Sequence, residues 1–246
     1  VGILESIAHN VRFGADNLKL FEVGKQYIPQ ENDLPQEVGI AIGGICGNRS
    51  QLNWTDDQNT MDVFDAKGII EAIFKELKLG TVFTPKNDSL FENEICSAIT
   101  VKGTEVGVLG QVKNEIAKSF GINIKPVIIF ELNLQKLLPL TINVLQYFTK
   151  LPRFPISYRD IALLVDNQIS ASNLIKSIKE HKLVINVDLF DEFVGKSLPD
   201  NHRSLAFRVH FHDQDHTLTS DEINESVKKI LNKLHHTTGA TIRETN

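Results

Sequence analysis

Four groups of side chains in this 246-residue sequence are of types, and at spacings, that can do chemistry. His210, His212 and His216 in HFHDQDH are potential metal ligands, because alternate positions 210 and 212 share one face of a strand. A metal site needs three or four converging donors with an ordered outer shell, and strand-end histidines followed by Asp and Gln favour solvent, so no metal site is assigned. Asp62 and Asp65 fall in the first turn of an expected helix, where the positive end of the dipole favours carboxylates. A divalent-cation shell would require further carboxylates that no neighbouring position supplies. Gly43, Gly44 and Gly47 in GGICG invite a phosphate-loop reading, but the lysine of GxxxxGK[ST] is missing and no helix starts directly after them. A close backbone approach or a bulge fits better. Cys46 and Cys96 are far apart without a CxxC partner, which points to buried thiols in a reducing compartment. Neither a GxSxG elbow nor a catalytic-cysteine signature occurs, and no catalytic residue is assigned.

The elements that must position these groups fall into two sets. In the back half, Pro152 and Pro155 hold the chain out of helix, and the apolar run Ile161 to Val165 reads as a mostly buried strand. A helix is expected over Ser172 to His181, then strands over Val184 to Phe193 and Ser204 to Phe211. Thr219 and Glu222 have capping-box spacing and open a last helix with Ile223, Val227, Ile230, Leu231 and Leu234 on one face. Gly239 stops it, and Ala240 to Glu244 supply a closing strand. This order, βαββαβ, is a ferredoxin-like split unit.

The front half predicts a helix from Val1 to Gly14, strands in LKLFEVGKQYI and QEVGIAIGGICG, and a loop from Asn48 to Thr60 anchored by Trp54. A helix follows over Asp62 to Leu77, with Val63, Ala66, Ile70, Ile73 and Leu77 as its face and Phe64 and Phe74 widening it. TVFTP, EICSAITVK, EVGVLGQV and PVIIFELNL read as further strands, with a short helix over Glu115 to Ser119. The fold class is therefore α+β, an antiparallel sheet domain followed by the ferredoxin-like domain. Boundaries are expected at 1–138, a linker at 139–151, and 152–246.

Bulk properties narrow the function. Hydrophobic residues make up 41% of the chain, as in soluble globular proteins, and no apolar run approaches the roughly 20 residues of a spanning helix. The first residues show no signal peptide, and the absence of an initial Met reads as an excised piece of a longer chain. The net charge of −5 argues against a general polyanion binder. Residues 1–151 hold 14 Lys and Arg against 18 Asp and Glu, residues 152–246 hold 12 against 13, and the latter carry seven of the eight histidines. Any RNA bound there must meet a local surface.

Strand phase defines that surface. With helices on one face of the split unit, Leu205, Phe207, Val209 and Phe211 point inward, while Ser204, Ala206, Arg208 and His210 point out. On the first strand Asp160, Ala162 and Leu164 point out. The phenylalanines of the third strand fall in the buried phase, unlike the stacking rings of an RNA-recognition motif. Ala162, Ser204 and Ala206 are small enough to admit a flat base. Asp160 can accept from a guanine edge, Arg208 can meet a phosphate or base, and Phe190 can stack. Read alone, these positions fit ordinary surface, or core for Phe190, better than a binding face.

The stretches RFPISYRDIALLVD, VDLFDEFVGKSL, SLAFRVHF and GATIRET resemble, in this order and spacing, the ferredoxin-fold anticodon-binding domain of the bacterial phenylalanyl-tRNA synthetase beta subunit. LFEVGKQY, GGICGNRSQLNW, MDVFDAKG and GVLGQVKNE resemble the part just before it, a non-catalytic copy of a class II synthetase core. A working core holds ATP through arginines. Here Phe21 and Glu22 are followed by Val23 and Gly24, and the glycine-bearing strands lack arginine.

The resemblance implies that the chain is the C-terminal portion of such a subunit, cytoplasmic, without a cofactor or membrane of its own. It implies docking to an alpha subunit in an α2β2 heterotetramer, where alpha uses ATP and Mg²⁺ to charge tRNA(Phe). It further implies anticodon contact through the face carrying Asp160, Ala162, Phe190, Ser204, Ala206 and Arg208, with the editing and N-terminal tRNA-binding modules lying upstream. The alternative is a regulatory amino-acid sensor, which would place its effector at a glycine-bearing loop after the first strand. The loop here, DNQISAS, has no glycine.

Overall fold

The computed structural model describes residues 1–246 apart from 32, 51–53, 55–58, 125, 143–152, 196 and 244–246. It divides into two compact units, Val1–Tyr147 and Phe148–Asn246.

The first unit is a six-stranded antiparallel sheet in the order β1-β2-β6-β5-β4-β3. Its strands are β1 (Asn17–Ile28), β2 (Gln36–Gly47), β3 (Val82–Pro85), β4 (Phe91–Val101), β5 (Thr104–Val112) and β6 (Val127–Asn133). Alternation divides the inner strands β2, β4, β5 and β6 between two cores. On β6, Ile128, Phe130 and Leu132 pack under α2 (Val63–Glu76) and α4 (Leu134–Thr141), whereas Val127 and Ile129 pack under α1 (Gly2–Arg12) and α3 (Asn114–Ser119). The glycines of β2 permit these contacts. A Cβ on Gly43 would lie 2.4 Å from the Phe130 ring, and one on Gly44 2.9 Å from Ile7. Gly47 takes φ +91° against the carbonyl of Asp16. Close approach, the expectation for this run, is what they provide.

Asp62 and Asp65 form a capping box at the start of α2, and Arg49 bonds both carboxylates at 2.8–3.0 Å. Helix-start chemistry therefore accounts for this acidic pair. The buried stripe of α2 is Ala66, Ile70 and Phe74, while Phe64 is 70% exposed and Ile73 38%. The expected face is thus rotated, because the helix meets the sheet along the 66–70–74 line. Trp54 is 96% exposed and does not anchor its loop. Lys102 and Gly103 both take positive φ, as a tight type I′ hairpin requires. Helix α4 reaches Thr141 with Pro139 inside it, so the first positions of the expected linker are helical, and 143–152 lie outside the described residues. The Gln135 side chain ties α4 to β2, accepting from Gly39 N at 2.8 Å and donating to Glu37 O at 3.0 Å.

The second unit is a four-stranded sheet, β10-β7-β9-β8, formed by β7 (Ser157–Asp166), β8 (Val184–Phe193), β9 (His202–Phe211) and β10 (Thr241–Ile242). Helices α5 (Ala171–Lys179) and α6 (Ser220–Thr238) cover one face. The expected βαββαβ order and the central place of its first and third strands are observed. Leu205, Phe207, Val209 and Phe211 are at most 1% exposed and meet Leu174, Ile178, Ile223, Ile230 and Leu234 from the helices. Ser170 caps α5, Thr219 and Glu222 box the start of α6, and Gly239 ends it at φ +70°. Among the described residues, no helix is long and apolar enough to cross a membrane.

Candidate nucleic-acid interface

The uncovered face of the second sheet is built in cross-strand rows. The register pairs Tyr158 with His210, Asp160 with Arg208, Ala162 with Ala206 and Leu164 with Ser204 across β7 and β9. On the other flank, β8 brings Asn186 opposite His210, Asp188 opposite Arg208 and Phe193 opposite Ser204. A register shift between Leu189 and Asp191 leaves Phe190 as an extra residue. A bulge of this kind re-aims a side chain, and the Phe190 ring lies 5.6 Å from the Arg208 guanidinium.

Arg208 is the hub. Its Nε and Nη2 donate to the two oxygens of Asp160 at 2.8 Å each, and its guanidinium also lies 4.6 Å from the Tyr158 ring. The hydrogen bond from Arg208 lowers the Asp160 carboxyl below its ordinary pKa and raises that of the guanidinium. Both charges persist at neutral pH, and both groups stay substantially exposed, open to a ligand. A forked guanidinium held by a carboxylate and near two rings is pre-oriented for planar, hydrogen-bonding partners.

Next to this row, Ala162 and Ala206 make a low floor. Beyond it Arg243 lies 4.6 Å from the Phe193 ring, and its backbone N–H donates to Ala162 O. Asp160, Ala162, Phe190, Ala206 and Arg243 line a cleft of about 350 Å³ that runs past the end of β10 and reaches Val227 and Leu231 of α6. Asp188 accepts from Asn186 at 2.8 Å and meets His210 Nε2 at 2.8 Å.

Asp160, Ala162, Phe190, Ala206 and Arg208 thus converge on one surface. Ser204 does not join them. It is 3% exposed, because Leu164 and Phe193 flank it on the central strand, and its outward phase is no guide to access. Sequence reasoning left out Tyr158, Asp188, Phe193 and Arg243, and it placed His210 outward without giving it a role. Phase alone finds Tyr158, two residues before Asp160, whereas the bulge and the terminal pairing carry no sequence signal. The histidines take different partners: His216 Nε2 meets Glu222 of α6 at 2.9 Å, while His210 pairs with Asp188 on the sheet. Among the described residues no group of three or more His, Cys, Asp or Glu is placed to hold a metal.

The first unit has a contrasting site. On the α1 side of its sheet, a cavity of about 410 Å³ is lined by apolar side chains together with Asp88 and Glu131, without Lys or Arg. A triphosphate requires the opposite charge.

Residues 1–134 match the family model described as phenylalanyl tRNA synthetase beta chain CLM domain, and residues 152–243 match the ferredoxin-fold anticodon binding domain. The phenylalanine–tRNA ligase beta subunit of Dehalococcoides mccartyi is 36% identical over 238 residues, spanning 97% of this chain and 29% of the relative. Those of Pseudomonas fluorescens and Vibrio vulnificus are 31% and 32% identical, each over 99% of this chain and 31% of their own length. The chain therefore spans less than a third of these relatives.

Proposed function

The chain belongs to the phenylalanyl-tRNA synthetase beta-chain family, and from that premise we propose that its second unit grips the anticodon of tRNA(Phe) while its first unit docks the catalytic alpha subunit. The observation that carries this reading is the bare sheet face on which Arg208, with the Tyr158 and Phe190 rings beside it, stands in the row next to a floor of two alanines. Bases stack on exposed rings and on guanidinium planes. The alanine floor lets a base approach the sheet, Asp160 and Asp188 offer acceptors to a base edge, and Arg208 and Arg243 supply local positive charge.

Docking has its own support. Phe21 and Val23 of β1, 82% and 63% exposed, stand beside Leu138, 58% exposed, at an apolar groove of about 500 Å³ also lined by Ile69, Ile73 and Leu77. Contiguous exposed apolar surface marks protein interfaces. In the assembly we propose, an α2β2 heterotetramer of the cytoplasm, the alpha subunit supplies ATP- and Mg²⁺-dependent phenylalanine activation. This chain supplies position and no reacting group.

The test titrates a labelled anticodon stem-loop of tRNA(Phe) with the chain, followed by fluorescence anisotropy, in parallel with free phenylalanine. Saturable, salt-weakened RNA binding with no response to the amino acid is expected. Binding of phenylalanine alone would replace this reading with the sensor one.

A further inference from the structure

The cavity on the α1 side of the first sheet is unused by the function proposed above. It lies between α1, α3, the β3–β4 connection and the sheet, with Ile3, Leu4, Phe91, Val108 and Phe120 among its apolar walls. At about 410 Å³ it falls within the range of small-molecule sites. Its polar side chains are acids. Glu131 sits at the centre of a cross-strand row, paired with Ile42 on one side and Val108 on the other. The same row continues through Ile42 to Glu22 on β1.

Glu131 makes no hydrogen bond or ion pair with a described residue. Burial raises its pKa above the ordinary 4.5, and Asp88 raises it further, while the α-ammonium of Val1 acts in the opposite direction. Asp88 is committed through one oxygen, which accepts from Leu90 N at 2.9 Å. A half-buried carboxylate without a partner is costly, and a cation entering the cavity would relieve that cost.

We propose that this cavity binds a small hydrophobic primary amine, with Glu131 holding the ammonium group and the apolar walls holding the hydrocarbon. With the α-ammonium of Val1 neutralised, free amino acids fit poorly, because the cavity lining has no Lys or Arg for their carboxylate. Specificity is therefore for an amine over the zwitterion or the acid of the same skeleton. The site is independent of the RNA face, and either proposal can fail without the other.

The experiment uses the chain with its α-amino group acetylated, so that Val1 contributes no charge. Calorimetric titration compares 2-phenylethylamine, phenylalanine and 3-phenylpropionate. One-to-one binding of the amine is expected, at least about tenfold tighter than either of the others, the scale of one charge-assisted hydrogen bond. Glu131→Gln, which keeps shape and fold, should weaken the amine about tenfold or more. Affinity should also fall on acidification, beginning above the ordinary carboxylate range, as Glu131 takes up a proton. Equal binding of 3-phenylpropionate, an unchanged affinity in Glu131→Gln, or no saturable amine binding would overturn the proposal.

Discussion

Both units rest on antiparallel sheets, yet they spend their sheet faces differently. In the first, helices cover both faces, so that odd and even positions of β2 and β6 belong to two separate cores, and the half-buried Glu131 makes no hydrogen bond with another described residue. In the second, helices cover one face, and the bare side collects a paired network centred on Arg208. Alternation tells which of two faces a residue meets, but only coverage tells what that meeting does. The same period-2 pattern yields packing on one sheet and a recognition surface on the other.

If the units are separate in packing as well as in chemistry, core truncations should act on one at a time. Phe74 and Phe207 are 1% and 0% exposed in their respective cores. Phe74→Ala should cost about 3–5 kcal/mol in the first unit, and Phe207→Ala about the same in the second. Denaturation followed by hydrogen exchange at residues of each core reads both. A variant that weakens both units equally would break the distinction.

The docking groove gives the next largest effect. Phe21→Asp with Leu138→Asp places two charges on apolar surface and should abolish capture of a co-expressed alpha subunit. Because both positions are already exposed, the melting of the isolated chain should change little. RNA binding by the second unit should be unaffected, and its loss would show that the two surfaces are coupled.

On the bare face, Arg208→Ala should weaken stem-loop binding about tenfold and reduce the salt dependence by roughly one counterion. Phe190→Ala should weaken it by a similar factor, through lost stacking, with the salt dependence unchanged. Equal salt slopes for the two variants would mean that Arg208 is held by Asp160 as a structural pair and meets no phosphate.

The sequence made the second unit legible almost element by element, because its helices are capped by Ser170 and Thr219, stopped by Gly239, and joined to strands with clean alternation. The glycines of β2 and the acidic start of α2 were legible for the same reason: local chemistry determines them. What escaped depends on coverage and register. Trp54 has the side chain of an anchor but no surface to meet, and Phe64 shares the helix with the buried stripe but lies off its line. Ser204 has outward phase yet is enclosed by its cross-strand neighbours. The bulge at Phe190 and the placement of Arg243 over Phe193 depend on strand pairing many residues away, so no short window carries them.

The smallest expected effect tests how the charged surroundings of the second unit act on stability. At the start of α6, Glu222 accepts from Thr219 N and Oγ1 at 2.8 Å each and from His216 at 2.9 Å. The backbone bond from Thr219 first, and then His216, hold its carboxyl down to about 2 from the usual 4.5, while Glu222 raises the His216 imidazole above 6.5. Glu222 therefore contributes stability that is present above about 4.5 and is lost as pH falls toward 2. His216 contributes stability that is complete below 6.5 and is lost as pH rises through its raised value. Glu222→Gln keeps the reach needed for the capping box but removes the charge. Unfolding midpoints of the second unit from about pH 2 to pH 8 should show the acid-side slope flattened and the His216 slope reduced, the remainder coming from Asp213 and Asp215, with the mid-range loss small because the pair is exposed. A wild-type-like profile in the variant would place the pH dependence elsewhere, the first candidate being the Asp160–Arg208 pair on the bare face.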